Sequence, residues 1–108
     1  MVPICSITGT FVDLTATPIS GATIDTTISG YINSGTAIIT SSVFLDDYLI
    51  SHYSMQYTTK SDGTFLLTLP QNAVVDVLID QASYHKRVII PTSTSADMSS
   101  LQVIEDLW

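Results

Sequence analysis

Apolar and polar side chains alternate along this chain in short runs, and clusters of turn residues separate the runs. Over residues 4–14 the period is two, with Ile7, Gly9, Phe11 and Asp13 on one face and Thr8, Thr10, Val12 and Leu14 on the other. Pro18 and Gly21 break the pattern across 15–21. A strand resumes over 22–32, with Ala22, Ile24 and Ile28 expected inward and Thr23, Asp25 and Thr27 outward. Asn33, Ser34 and Gly35 form the next turn, and 36–40 is short, apolar and β-branched.

Residues 41–54 fit two patterns. Phe44, Leu45, Tyr48 and Leu49 have the spacing of a short helix capped by Ser41 or Ser42, and they also suit an irregular loop leading into a strand. The surrounding β content favours the second. Ser61-Asp62-Gly63 is the strongest turn signal, because glycine supplies the positive φ that tight hairpins demand, so 56–60 and 64–69 are predicted to pair around it. Phe65, Leu67 and Leu69 share one face there. Residues 74–79 point Val75, Val77 and Ile79 inward, and 84–90 form a strand closed by Pro91. In the tail, Ser95 or Asp97 could cap a short helix carrying Leu101, Ile104 and Trp108 at spacings of three and four. The expected architecture is all-β: a single antiparallel β-sandwich of about seven strands over residues 1–91. A C-terminal docking tail or helix over 92–108 follows it, lying on its own sandwich or on a partner, and its removal from Ser99 onward is expected to leave the sandwich folded.

Composition agrees with this pattern. Thr (15), Ile (13) and Val (8) make one residue in three β-branched among the 108. One domain of this length buries roughly 65% of its unfolded surface, enough for a core without disulfides. The hydrophobic fraction of 45% is too high for a disordered chain, and no apolar run approaches a membrane span. The net charge of −7, with only Lys60, Lys86 and Arg87 as cations, argues against nucleic acid or an anionic membrane as partner. Residues 1–4 show neither the basic region nor the apolar stretch of a secretory signal, which leads to the expectation of synthesis and assembly in the cytoplasm, where a lone Cys5 stays reduced.

Candidate chemistry is sparse. His52 and His85 are the available imidazole bases, and neither belongs to a nucleophile motif. One cysteine and two distant histidines give no zinc-ligand pair. Asp46, Asp47, Asp62 and Asp80 are hard oxygen donors without a calcium-loop spacing, so they read as solvated turn acids. No catalytic residue, metal or cofactor is expected.

Three segments in order carry a resemblance: Ile7-Thr8-Gly9-Thr10-Phe11-Val12-Asp13 with Pro18-Ile19-Ser20-Gly21-Ala22-Thr23-Ile24; Thr59-Lys60-Ser61-Asp62-Gly63-Thr64-Phe65; and Leu69-Pro70 leading to Ala82-Ser83-Tyr84. Together they resemble the carboxypeptidase regulatory-like, or transthyretin-like, β-sandwich, with Ser83 standing where that family usually has glycine. The resemblance implies an accessory or structural role without catalysis. Ser/Thr-rich modules of this kind are similar to small virion structural proteins of tailed bacteriophages, in capsid decoration, neck or tail. The expected partners are therefore other virion proteins, with the chain a homo-oligomer or part of a larger assembly in the virion. The expected contact residues are Phe44, Tyr48, Tyr53, Tyr57, Leu101, Ile104, Leu107 and Trp108. The alternative is a carbohydrate-binding or adhesion module using the loop tyrosines.

Overall fold

The computed structural model describes residues 3–40, 43–45, 48–50 and 54–107. Among the described residues eleven strands follow in chain order: β1 Ile4–Thr10, β2 Thr23–Asn33, β3 Thr36–Ile39, β4 Val43–Leu45, β5 Tyr48–Ile50, β6 Ser54–Thr58, β7 Thr64–Pro70, β8 Ala73–Ile79, β9 Tyr84–Ile89, β10 Ser95–Asp97 and β11 Gln102–Asp106. They form an all-β sandwich. One sheet has three strands in the order β10-β1-β7 and the other six, β11-β9-β8-β2-β3, with β6 also on β2. The β4–β5 hairpin stands apart as a two-stranded arm. The strands exceed the expected seven by four, because β4 and β5 add two and the tail adds β10 and β11.

The period-two pattern decides what the sandwich buries. Cys5 and Ile7 from β1, Phe65, Leu67 and Leu69 from β7, Ile24 and Ile28 from β2, Val75, Val77 and Ile79 from β8, and Val88 with Ile90 beside β9 meet between the sheets. Each large aliphatic side chain buried this way contributes about 1.5–3 kcal/mol. Gly9 faces Phe65 directly across the β1–β7 ladder. The ring lies over the glycine, and a Cβ there would collide with the ring's far edge.

The Asp62-Gly63 turn forms, but its flanks do not make the predicted hairpin. Lys60 N–H donates to Thr64 O at 2.8 Å and Gly63 N–H to Lys60 O at 2.9 Å. Beyond those bonds the strands part, β6 pairing with β2 and β7 with β1 in the opposite sheet. Buried Thr59 is the pin that diverts the chain. Its N–H donates to Ala22 O (2.9 Å) and its carbonyl accepts from Gly21 N–H (3.0 Å). Its hydroxyl donates to Ile19 O (2.8 Å) and accepts from Ala22 N–H (2.9 Å). These bonds tie the residue before the turn to the β1–β2 connection, so the turn becomes a corner between sheets.

The tail is not helical. Residues 98–100 make one 3-10 turn, and strands flank it. β10 runs parallel to β1, pairing Ser6 with Ser95 and Thr8 with Asp97, while β11 runs antiparallel to β9 in the other sheet. Leu101 falls between them and is 8% exposed, inside the shared core. Extended backbone wins because both sheets offer open edges, whereas a free helix of this length is marginal in water. Removal from Ser99 onward therefore takes away a core side chain and a strand, contrary to the expectation of an independent tail.

Two stability outcomes follow. Gly9→Ala should cost about 1–3 kcal/mol in urea unfolding, and most of that penalty should vanish in a Phe65→Leu background, where the ring is gone. Leu101→Ala should lose about 2–4 kcal/mol; a chain truncated after Met98 that unfolds at the full-length midpoint would contradict the placement of Leu101.

Candidate functional site

Two surfaces and one cleft are candidates, and charge separates them. On the outer face of the six-stranded sheet, register aligns Ser54, Thr27, Asp76, Arg87 and Glu105 in one row across β6, β2, β8, β9 and β11. Arg87 Nε meets Asp76 Oδ1 at 2.8 Å and Nη1 meets Glu105 Oε1 at 3.0 Å. The hydrogen bond to Asp76, more than any other cause, holds the guanidinium above its ordinary value. Lys86 Nζ lies 2.8 Å from Asp106 Oδ2 and 5.5 Å from the centre of the Tyr84 ring. Two of the chain's three cations thus fasten β11 to β9.

A cleft of about 580 Å³ opens at one end of the sandwich under the 98–100 turn, lined chiefly by Phe11, Phe65, Ile79, Tyr84, Met98 and Val103. Its polar groups face one another: Thr8 Oγ1 donates to Asp97 Oδ1 at 3.4 Å. Burial pushes the Tyr84 phenol up, so it is un-ionised at neutral pH. Tyr84 and Lys86 point into the cleft, which puts His85 on the opposite face of β9. Cys5 is fully buried in the core. Among the described residues no cluster of His, Cys, Asp and Glu has the makings of a metal site. No described helix is long and apolar enough to cross a membrane.

The third candidate is the arm. Strand alternation puts Ile50 of β5 inward against the core, beside Ile28, Leu69 and Val75. The same alternation turns Leu49 outward, opposite Phe44 on β4. Phe44 is 70% exposed, Leu49 60%, Ile39 on β3 51% and Tyr48 50%. Exposed apolar residues clustered on one short segment mark an interaction surface more than scattered ones do.

The predicted contact residues divide accordingly. Phe44 and Tyr48 stand on the arm, while Tyr53 and Trp108 lie outside the described residues, as do Asp46, Asp47 and His52. Tyr57 is turned inward from β6, and its hydroxyl donates to Thr68 O at 3.0 Å and accepts from Thr68 N–H at 3.4 Å. Leu101 belongs to the protein's own core and is no contact residue. Ile104 is exposed on β11, at the bulge between Val103 and Glu105, and half-buried Leu107 donates its N–H to His85 O at 2.8 Å. The described tyrosines do not make one sugar-stacking platform, since Tyr31 and Tyr57 pack on the core and Tyr48 projects on the arm. Sequence reasoning missed Ile38 and Ile39, whose β-branched run reads as a buried strand, and Leu14, wholly exposed on a tight loop. No family model matches the chain, and no curated protein matches it either.

Two loop carboxylates set the response to acid. Asp13 accepts from the Thr15 hydroxyl (2.6 Å), Thr15 N–H (2.8 Å) and Thr17 N–H (3.1 Å). Asp62 accepts from the Thr64 hydroxyl (2.6 Å) and N–H (3.0 Å). Those donors, the hydroxyl first in each case, hold both carboxyls below their ordinary 3.8. A carboxylate whose folded pKa is depressed stabilises the fold above its unfolded value and loses that contribution as pH falls through the folded one. Below about pH 5 the urea midpoint should therefore fall more steeply in the native chain than in an Asp13→Asn, Asp62→Asn double variant; equal slopes would refute the assignment.

Proposed function

We propose that this chain is a non-enzymatic structural protein that works through protein–protein contacts, as a capsid-decoration, neck or tail component of a tailed-bacteriophage virion. The observation that carries the contact role is the arm: Phe44 and Leu49 project on the outer face of a hairpin whose Ile50 is anchored in the core, and Tyr48 at its end is half exposed. An anchored hairpin presents its outer side chains with little entropy left to lose on binding. The row of ion pairs on the outer face of the six-stranded sheet is internally satisfied and offers no comparable apolar surface. Placement in a virion is supported by the Ser/Thr-rich sandwich and the motifs Gly9 to Asp13 and Asp62 to Phe65. Contact with other virion proteins would act by burying the arm, with aromatic anchors at the centre.

Particles assembled with a Phe44→Ser, Leu49→Ser double variant test this reading. The variant should keep the native circular dichroism spectrum, since neither side chain is in the core, and each loss should weaken incorporation by about 2 kcal/mol, near thirtyfold. Quantifying the protein per purified particle by mass spectrometry reads the outcome; native occupancy by the double variant, or no native protein in any particle, sinks the proposal.

A further inference from the structure

The exposed edges of the two sheets are not equivalent. On β7, Thr64 N–H is taken by Asp62 and its carbonyl by Lys60 N–H, and the Tyr57 hydroxyl occupies both peptide groups of Thr68. β10 is three residues long, and Ser93 Oγ donates to Ser95 O at 2.9 Å. β11 carries a bulge and the acids Glu105 and Asp106. Short length, bulges, charges and side-chain caps are the devices that keep a sheet edge from pairing with another chain.

β3 is itself only four residues long, but among the described residues it carries no bulge, charge or side-chain cap. Its four residues, Thr36 to Ile39, hold no charge and no proline, and its ladder with β2 is unbroken from Asn33–Thr36 to Gly30–Ile39. The two-residue turn at Ser34 (φ 51°) and Gly35 (φ 80°) fixes that register. Thr40 N–H donates to Ser29 O. Counting back by alternation, the peptide groups of Ile38 and Thr36 also face β2, while those of Ala37 and Ile39 face away. β3 ends the strand order of its sheet.

Charge selects the occupant. From Thr26 to Leu45 the sequence has no Asp, Glu, Lys or Arg, in a chain whose net charge is −7. Two copies repel one another over most of their surfaces, and this stretch is where they approach at least electrostatic cost. We infer that β3 pairs antiparallel with β3 of a second copy about a twofold axis at Ile38, making one sheet continuous through both subunits. Ala37 of each copy then exchanges N–H···O bonds with the partner's Ile39, and the two Ile38 side chains lie next to each other. The inference rests on reading the neighbouring arm as an assembly surface and names the first partner of that surface.

Sedimentation equilibrium and concentration-dependent amide exchange on the full chain test it. The native protein should move from 11.7 kDa to twice that mass as its concentration rises, and the amides of Ala37 and Ile39 should slow at least tenfold over the same range. Ala37→Pro, which removes an outward N–H and no β2 bond, and Ile39→Lys, which puts a charge on the edge, should each remain at 11.7 kDa. If the proline variant does not fold, the lysine variant and the exchange of the native chain still decide. A native chain that stays at the single mass, or variants that still double it, overturns the pairing. A monomeric native chain that enters particles through Phe44 and Leu49 removes the pairing alone; a dimer disrupted by both substitutions but absent from every particle keeps the pairing and removes the virion reading.

Discussion

Together with the Thr59 corner, the C-terminal stretch that contributes a strand to each sheet holds the two sheets of this sandwich in register. β10 completes the three-stranded sheet beside β1, Leu101 enters the space between the sheets, and β11 completes the six-stranded sheet beside β9. A small sandwich has few other means of fixing one layer against the other, because apolar contact is nondirectional and allows sliding. A strand on each side of a buried leucine is directional, so the segment that begins as an apparent appendage is an element on which the alignment of the layers depends.

That arrangement explains how so few cations are used. Lys86 and Arg87 lie next to one another on β9, on opposite faces, and each reaches an acid of β11. Arg87 also reaches Asp76 on β8, so one guanidinium spans three adjacent strands. Exposed pairs of this kind contribute little individually. Here they discriminate among registers, since a slip of one residue would bring Glu105 and Asp106 to the wrong faces. Among the other acids, Asp13 and Asp62 organise turns through hydroxyl and amide donors rather than through cations.

The inward faces were legible in the sequence because burial enforces period two: Ile24 and Ile28, Phe65 to Leu69, and Val75 to Ile79 stand where alternation puts them. What alternation cannot encode is which strand lies alongside. The Asp62-Gly63 turn is a correct local reading that led to a wrong pairing, because the deciding bonds come from Thr59 to residues almost 40 positions earlier. The tail failed for a related reason. Leu101 and Ile104 satisfy helical spacing as well as a strand with a bulge, and only the free edges of β1 and β9 distinguish the two. At the candidate site, Phe44 and Tyr48 were found by their aromatic character, whereas Ile38 and Ile39 were passed over because an apolar β-branched run looks the same whether buried or open.

The parallel pairing of Ser6 with Ser95 joins nearly the two ends of the chain. Contacts at such separation are closed late, and topologies rich in them fold in milliseconds to seconds rather than microseconds. During synthesis β1 can find β7, yet its other edge stays bare until residues 95–97 have been made. The β2–β3 hairpin, closed by a two-residue turn, is complete long before that. A nascent chain therefore displays its uncharged strand while the sandwich behind it is still unfinished.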